Sequence, residues 1–284
     1  MIRTVIRTIG NFAWASESPY VALATVRKNW NLTTQLFIRG VHQKYQGGIL
    51  GLAWIIISPL LILAIYTVVF GVILGSRLGP EENHSQLGFA LALLCGLTVF
   101  QYFSDCLTLS TTLIAGNANY VKKVVFPLEV LPLANCLSTI FLYLFWFLMA
   151  LIGVLLIFHK ICLTSIALPL IVFPLFLMTL GVSWFVASLA VFFRDLQYAV
   201  PIAMRVLFFV TPICYSLEKA PEPIRTVLWL NPLTWFVEQT KNILINDVWP
   251  SPFGLLIALI LSALIAQLGY IWFMKTKAGF ADVI

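Results

Sequence analysis

Three histidines, five cysteines and 11 acidic residues are the supply of the commonest metal-ligating and acid–base groups in this 284-residue chain. His42, His84 and His159 lie far apart, so they offer no zinc-ligand spacing. Cys95, Cys106, Cys136, Cys162 and Cys214 form no CxxC and no paired spacing. Four of them fall in or at the ends of apolar runs, where cysteine acts as a small hydrophobe. Glu81-Glu82 reads as a solvated loop pair rather than an acid/base dyad. Asn83-His84-Ser85 matches a glycosylation sequon, a pattern short enough to arise by chance. The dipeptide Gly-Lys is missing, and with it any phosphate loop of the Walker type. GxSxG and HExxH are missing as well. No catalytic constellation, metal site or cofactor of its own is therefore expected.

The elements that must position whatever remains are set by composition. The chain is 61% hydrophobic and 10% charged, with a mean hydropathy of +0.98; soluble domains carry about 25% charged residues. No aqueous fold could hide so much apolar surface, so lipid must be the solvent. The fold class expected is an all-α polytopic membrane protein, because the apolar runs lack the alternation of a membrane β-strand.

Crossing a bilayer takes about 20 apolar residues as a helix. Six segments qualify: 49–74, 86–114, 130–158, 163–193, 196–217 and 252–274. Pro169 and Pro174 kink the fourth or begin it as an interfacial turn. Residues 1–28 are basic but interrupted by Arg3, Arg7, Asn11 and Glu17, and read as a cytoplasmic or surface-lying segment. With the N-terminus inside, eleven of the 17 Lys and Arg fall on the cytoplasmic side and five opposite, leaving Arg205 within the fifth span. Both termini are then cytoplasmic. The net charge of +6 is topogenic and lipid-facing, with no nucleic-acid partner implied. Residues 29–45 form an amphipathic helix suited to the inner interface, with Arg39 and Lys44 on its polar side and Tyr45 near its apolar face. Residues 218–250 hold apolar pieces too short to cross, punctuated by prolines, and read as re-entrant or outer-surface helices.

Two polar features stand out against this background. The first is NANYVKKVVFPLEVLP (117–132), between the second and third spans. Asn117 or Asn119 can cap a short helix carrying Tyr120, Lys122, Lys123 and Phe126, which Pro127 would end. Its lysines serve either as a positive-inside signal bound to lipid phosphate or as part of a docking helix for a cytoplasmic partner. The second is a pair of deep charges, Asp105 and Arg205. Each lies about ten residues, or ~15 Å, from the cytoplasmic end of its span. An unpaired charge there costs at least about 2.5–3.5 kcal/mol. Asp105 and Arg205 either pair with each other, or Arg205 lines a pathway for an anionic substrate.

The run 39–71 resembles the opening of polysaccharide-exporter permeases, the membrane subunits of ABC transporters for O-antigen, capsule or teichoic acid. It carries Arg39, Lys44-Tyr45, Leu50-Gly51, Trp54 and Pro59-Leu60 in that family's order. NANYVKKVVFPLEVLP is similar to the family's coupling helix. FFRDLQYAVP (192–201), TPICY (211–215) and LNPLTWFVE (230–238) resemble its fifth span and outer gate, and KAGFADVI (277–284) its C-terminus. The match covers 29–284 and is closest to the O-antigen branch. It departs at Gly40, where an acidic residue is common, and at Lys241, where Arg is common.

The resemblance implies a homodimer in the bacterial cytoplasmic (inner) membrane, with ATP and Mg on a separate cytoplasmic ATPase subunit. The substrate implied is a lipid-linked polysaccharide. Asn117, Asn119, Tyr120, Lys122, Lys123, Phe126 and Pro127 would form the coupling helix, and Asn231, Pro232 and Glu238 belong to the outer gate. The first and fifth spans would line the pathway, where aromatic faces suit a sliding sugar chain. Candidates are Trp54, Tyr66, Phe70, Tyr198, Phe208, Phe209 and Tyr215, with Arg205. A drug or small-lipid exporter of the same architecture is the nearest alternative. An intramembrane glycan-modifying transferase is a further one, disfavoured by the missing acid/base cluster.

Overall fold

Backbone amides find no partner in hydrocarbon, so an apolar run must close its hydrogen bonds within itself. The computed structural model describes residues 27–45, 51–73, 86–121, 126–160, 162–215, 217 and 221–284. Among the described residues every regular element is helical. Helix α1 spans Trp30–Tyr45. A turn of 3₁₀ helix (Gly51–Ala53) leads into α2 (Trp54–Tyr66), which continues as a π-type stretch, Thr67–Ile73. Helix α3 runs Gln86–Leu113, followed by a 3₁₀ turn (Ala115–Asn117) and the four-residue α4 (Ala118–Val121). Then come α5 (Val130–Phe158), a 3₁₀ turn (Leu163–Ala167), α6 (Leu168–Phe192) and α7 (Leu196–Val210). Helix α8 (Glu222–Leu230), α9 (Pro232–Lys241) with its π-type extension Asn242–Asn246, and α10 (Pro252–Lys277) complete the order.

Among the described residues, four helical segments are long and apolar enough to cross a membrane: Leu87–Leu113, Val130–Phe158, Leu163–Phe192 and Pro252–Lys277. The stretches expected as first and fifth spans appear as shorter apolar helices, Trp54–Val69 and Leu196–Val210. Helix α7 stops at Val210 rather than 217, because Pro212 brings no amide donor and residues 211–215 turn inside protein. The fourth expected span does begin as a 3₁₀ turn, with Pro169 in the first turn of α6. Of the expected segment 1–28, only Arg27 and Lys28 lie among the described residues.

Helix α3 is the hub. Buried residues make up 78% of its apolar window, against 17% for α10, whose remaining surface faces outward. Leu93, Cys95, Leu97, Val99 and Cys106 on α3 are wholly enclosed. Its buried serine and threonine side chains are tolerated there because their hydroxyls donate to their own helix. Thr98 bonds the Leu94 carbonyl and Ser110 the Cys106 carbonyl, both at 2.7 Å. Helices α6 and α10 pack most closely of all, at a crossing of Gly181 and Gly269. A methyl group on Gly269 would collide with the Gly181 carbonyl oxygen, and one on Gly181 with the backbone of Ile265 and Ala266. Such approach is how helices attract one another where lipid is as apolar as leucine. Replacing Gly269 with Val is expected to destabilise the protein by about 3 kcal/mol. Thermal unfolding in detergent, followed by size-exclusion chromatography, measures it.

Candidate functional site

At one end of the bundle, α1 lies against the start of α5. Gly40 permits the approach, since a methyl there would sit 2.9 Å from Ser138 Oγ. One residue earlier, Arg39 Nη1 donates to Tyr120 Oη at 3.2 Å. The Tyr120 ring stacks on Phe126, with centroids 4.3 Å apart and planes 6° from parallel. A cavity of about 550 Å³ opens between these elements, bounded by Arg39, Gln43, Asn117 and Asn135 among others. Asn117 does not cap a following helix. Its Nδ2 donates to the Leu113 carbonyl at 2.8 Å and closes the C-terminal end of α3, where the open backbone groups are acceptors. Asn119 is exposed on α4, and Pro127 belongs to the turn that starts α5, its carbonyl accepting from Val130 N at 3.1 Å. Lys122 and Lys123 lie outside the described residues, as do the side chains of Lys44 and Tyr45, which end α1.

The same end holds an ion pair that sequence reasoning missed. Lys277 Nζ, in the last turn of α10, donates to Glu129 Oε2 at 2.7 Å. Glu129 immediately precedes α5 and is only 6% exposed. An acid at a helix start and a base at a helix end each suit the local dipole. Trp184 Nε1 on α6 donates to the Glu129 carbonyl at 3.0 Å. Beyond Lys277 the chain folds back, burying Phe280 completely against Phe273 and Phe192. The available signal was a lone acid, Glu129, in an otherwise apolar FPLEVLP.

Four of the eight residues expected along a pathway meet at one cavity of about 340 Å³: Tyr66, Arg205, Phe208 and Phe209. Tyr66 stacks on Phe208 at 5.4 Å and 29°, while Phe100 and Phe209 meet Phe208 edge-on. Helix α3 adds Gln101, Ser104 and Thr108. Trp54 and Tyr198 are exposed and not among the lining residues. Tyr215 Oη donates to the Phe209 carbonyl at 2.9 Å, and the Phe70 side chain is outside the description. Asp105 Oδ2 accepts from Tyr143 Oη at 2.8 Å.

At the opposite end, Asn231 joins α7 to the α8–α9 corner. Its Oδ1 accepts from Leu233 N at 3.0 Å, capping α9, and its Nδ2 donates to Thr211 Oγ1 at 2.8 Å. Pro232 occupies the first position of α9, where its missing amide costs nothing. Buried Lys241 reaches across to the Pro212 carbonyl at 2.7 Å and pairs with Glu238 at 3.0 Å. Thr164, before α6, donates to the Ile243 carbonyl and to Asp247 Oδ1. Burial and the adjacent Asp247 carboxylate push the neighbouring Cys162 thiol up, so it is a poor nucleophile. All five cysteines are free and buried, and among the described residues no group of three His, Cys, Asp or Glu could hold a metal.

Residues 31–245, three quarters of the chain, match the ABC-2 type transporter family. The chain belongs to this family. An O-antigen export system permease protein RfbA from Klebsiella pneumoniae is 27% identical over 243 residues, covering 85% of this chain and 90% of that one. A protein of the same name from Myxococcus xanthus is 24% identical over 255 residues, covering 89% and 95%. The polysialic acid transport protein KpsM of Escherichia coli is 25% identical over 209 residues, covering 73% and 78%.

In this ABC-2 type chain both ends of the bundle are thus fastened by a lysine. Lys241→Met would leave the Pro212 carbonyl and Glu238 without their cation, at a cost of about 2–3 kcal/mol. The expected result is a lower melting temperature in detergent, partly recovered by Lys241→Arg.

Proposed function

We propose that this ABC-2 type transporter chain is the membrane subunit of an exporter of a lipid-linked surface polysaccharide, of the O-antigen class. It works as a homodimer in the bacterial inner membrane, both termini cytoplasmic, with ATP hydrolysed by a separate cytoplasmic ATPase. The observation that carries the reading is the Arg39–Tyr120 contact. It joins an amphipathic interfacial helix and the coupling turn into one unit, in a chain similar over most of its length to permeases named for O-antigen export. Helix α1 helps admit the lipid head. ATPase movement enters at 117–127 and passes through Asn117 into α3 and through the 127–130 turn into α5. Helices α8 and α9 gate the outer side.

In this reading α2 and α7 complete six spans. Their outward faces, with Ile56, Leu61, Ile65, Ile202 and Val206 exposed, meet a second copy across the pathway. The cavity of Tyr66, Phe208, Phe209 and Arg205 opens toward that pathway. Ring faces contact the apolar faces of pyranoses without fixing one register, and Arg205 meets an anionic glycan or lipid diphosphate. A drug or small-lipid exporter would give the mixed polarity of this cavity and the basic interfacial helix less to do.

Deletion of the chain, followed by glycan localisation, tests the function. Complete lipid-linked chains are expected to accumulate on the cytoplasmic side; normal surface glycan without a redundant exporter would sink the proposal. Charge reversal of both Lys122 and Lys123 is expected to abolish co-purification of the ATPase. Arg205→Ala is expected to slow export about tenfold, the scale of one charge-assisted contact, with ATPase binding intact.

A further inference from the structure

Glu129 lies in the chain between the coupling turn and α5, yet its carboxylate is bonded 148 residues away, to Lys277. A carboxylate on a side chain only 8% exposed is stable as an anion when a cation and good geometry accompany it. The contact therefore fixes two chain segments to each other more firmly than a surface pair would. Around it, Trp184 holds the Glu129 carbonyl, so α6 joins the same junction. Phe280, fully enclosed against Phe192 and Phe273, keeps the end of α10 from fraying. Farther along, the Gly181–Gly269 crossing brings α6 and α10 into backbone contact, so the two helices move as one body.

We propose that Glu129 and Lys277 are positioning residues, a clamp that delivers displacement of the coupling turn to α10 and α6 as well as to α3 and α5. The inference rests on the reading that 117–127 receives the ATPase's movement. Without the clamp, a push at the turn would reach α10 only indirectly, through the Trp184 bond to α6 and the α6–α10 crossing. With it, the inner ends of all four helices are displaced together. The C-terminal residues after Lys277 then have a mechanical role: they anchor the far jaw of the clamp.

A contact that served folding alone would change yield and melting temperature, leaving glycan exported per ATP hydrolysed untouched. That ratio is the measurement, made on the full chain in membranes with its co-purifying ATPase. Glu129→Gln combined with Lys277→Met removes both charges together and leaves neither one buried alone. The double variant is expected to fold and to bind the ATPase at the unmodified level, while export per ATP falls about fivefold, the scale of a coupling contact. An unchanged ratio would overturn the clamp. The exchanged pair, Glu129→Lys with Lys277→Glu, is expected to recover most of the ratio; an exchanged pair that folds and stays uncoupled counts against it. If neither double variant accumulates in the membrane, the pair is a folding contact only and the positioning role falls. An unmodified chain that brings down no ATPase overturns the function proposed above together with this inference. An unmodified chain that does so, beside a fully coupled double variant, overturns this inference alone.

Discussion

Hydrocarbon offers no hydrogen bonds, and the arrangement of this chain follows from that one constraint. Each long apolar run satisfies its backbone as a helix. Each buried serine or threonine hydroxyl on the hub helix α3 turns back to a carbonyl of its own helix, as Thr98 and Ser110 do. Where the backbone leaves helical geometry at 211–215, protein groups supply the missing partners. Asn231 does this for the Val210 carbonyl and Lys241 for the Pro212 carbonyl, from the neighbouring α8–α9 corner. The break after α7 is tolerable for that reason, and the corner helices are held to the bundle by the same bonds.

The two ends of the molecule are built from different materials. The end bearing α4 is assembled from side chains that come from every part of the chain: Arg39 from α1, Tyr120 and Phe126 from the turn, Glu129 before α5, Trp184 from α6 and Lys277 from α10. The other end is stitched by segments closer in sequence, α7 with α8 and α9, and by Thr164 with the turn at Asp247. The contacts at the first end tie several helices together. Between the ends, the cavity of Tyr66, Phe208, Phe209 and Arg205 lies on the face whose apolar side chains remain uncovered within one chain.

Much of this was legible from hydropathy. Residues 130–158 were read as a span and form α5 with the same limits. Helix α10 runs three residues past its expected end at 274, because the hydrogen-bonded spiral continues beyond the apolar run through Lys275 and Lys277. Helix α7 is shorter than expected, since apolar character continues to 217 while Pro212 and the Asn231 and Lys241 bonds end the helix at Val210. Asn117 was legible as a capping residue but not the direction of its cap. That depended on the last turn of α3 ending beside it with a free carbonyl.

By itself the sequence determined the solvent, the class of fold and the approximate places of the long helices, because burial in lipid and backbone satisfaction act locally along the chain. Its spaced motifs also pointed to the transporter family that the comparison over residues 31–245 identified. Only the tertiary structure decided which charges meet. Asp105 turned to Tyr143, Lys241 to the Pro212 carbonyl, and Lys277, counted from sequence as a topology signal, to Glu129. These partners lie 29 to 148 residues apart. They are brought within hydrogen-bonding distance by how the helices pack, and helix packing leaves no periodic trace in the residues it joins.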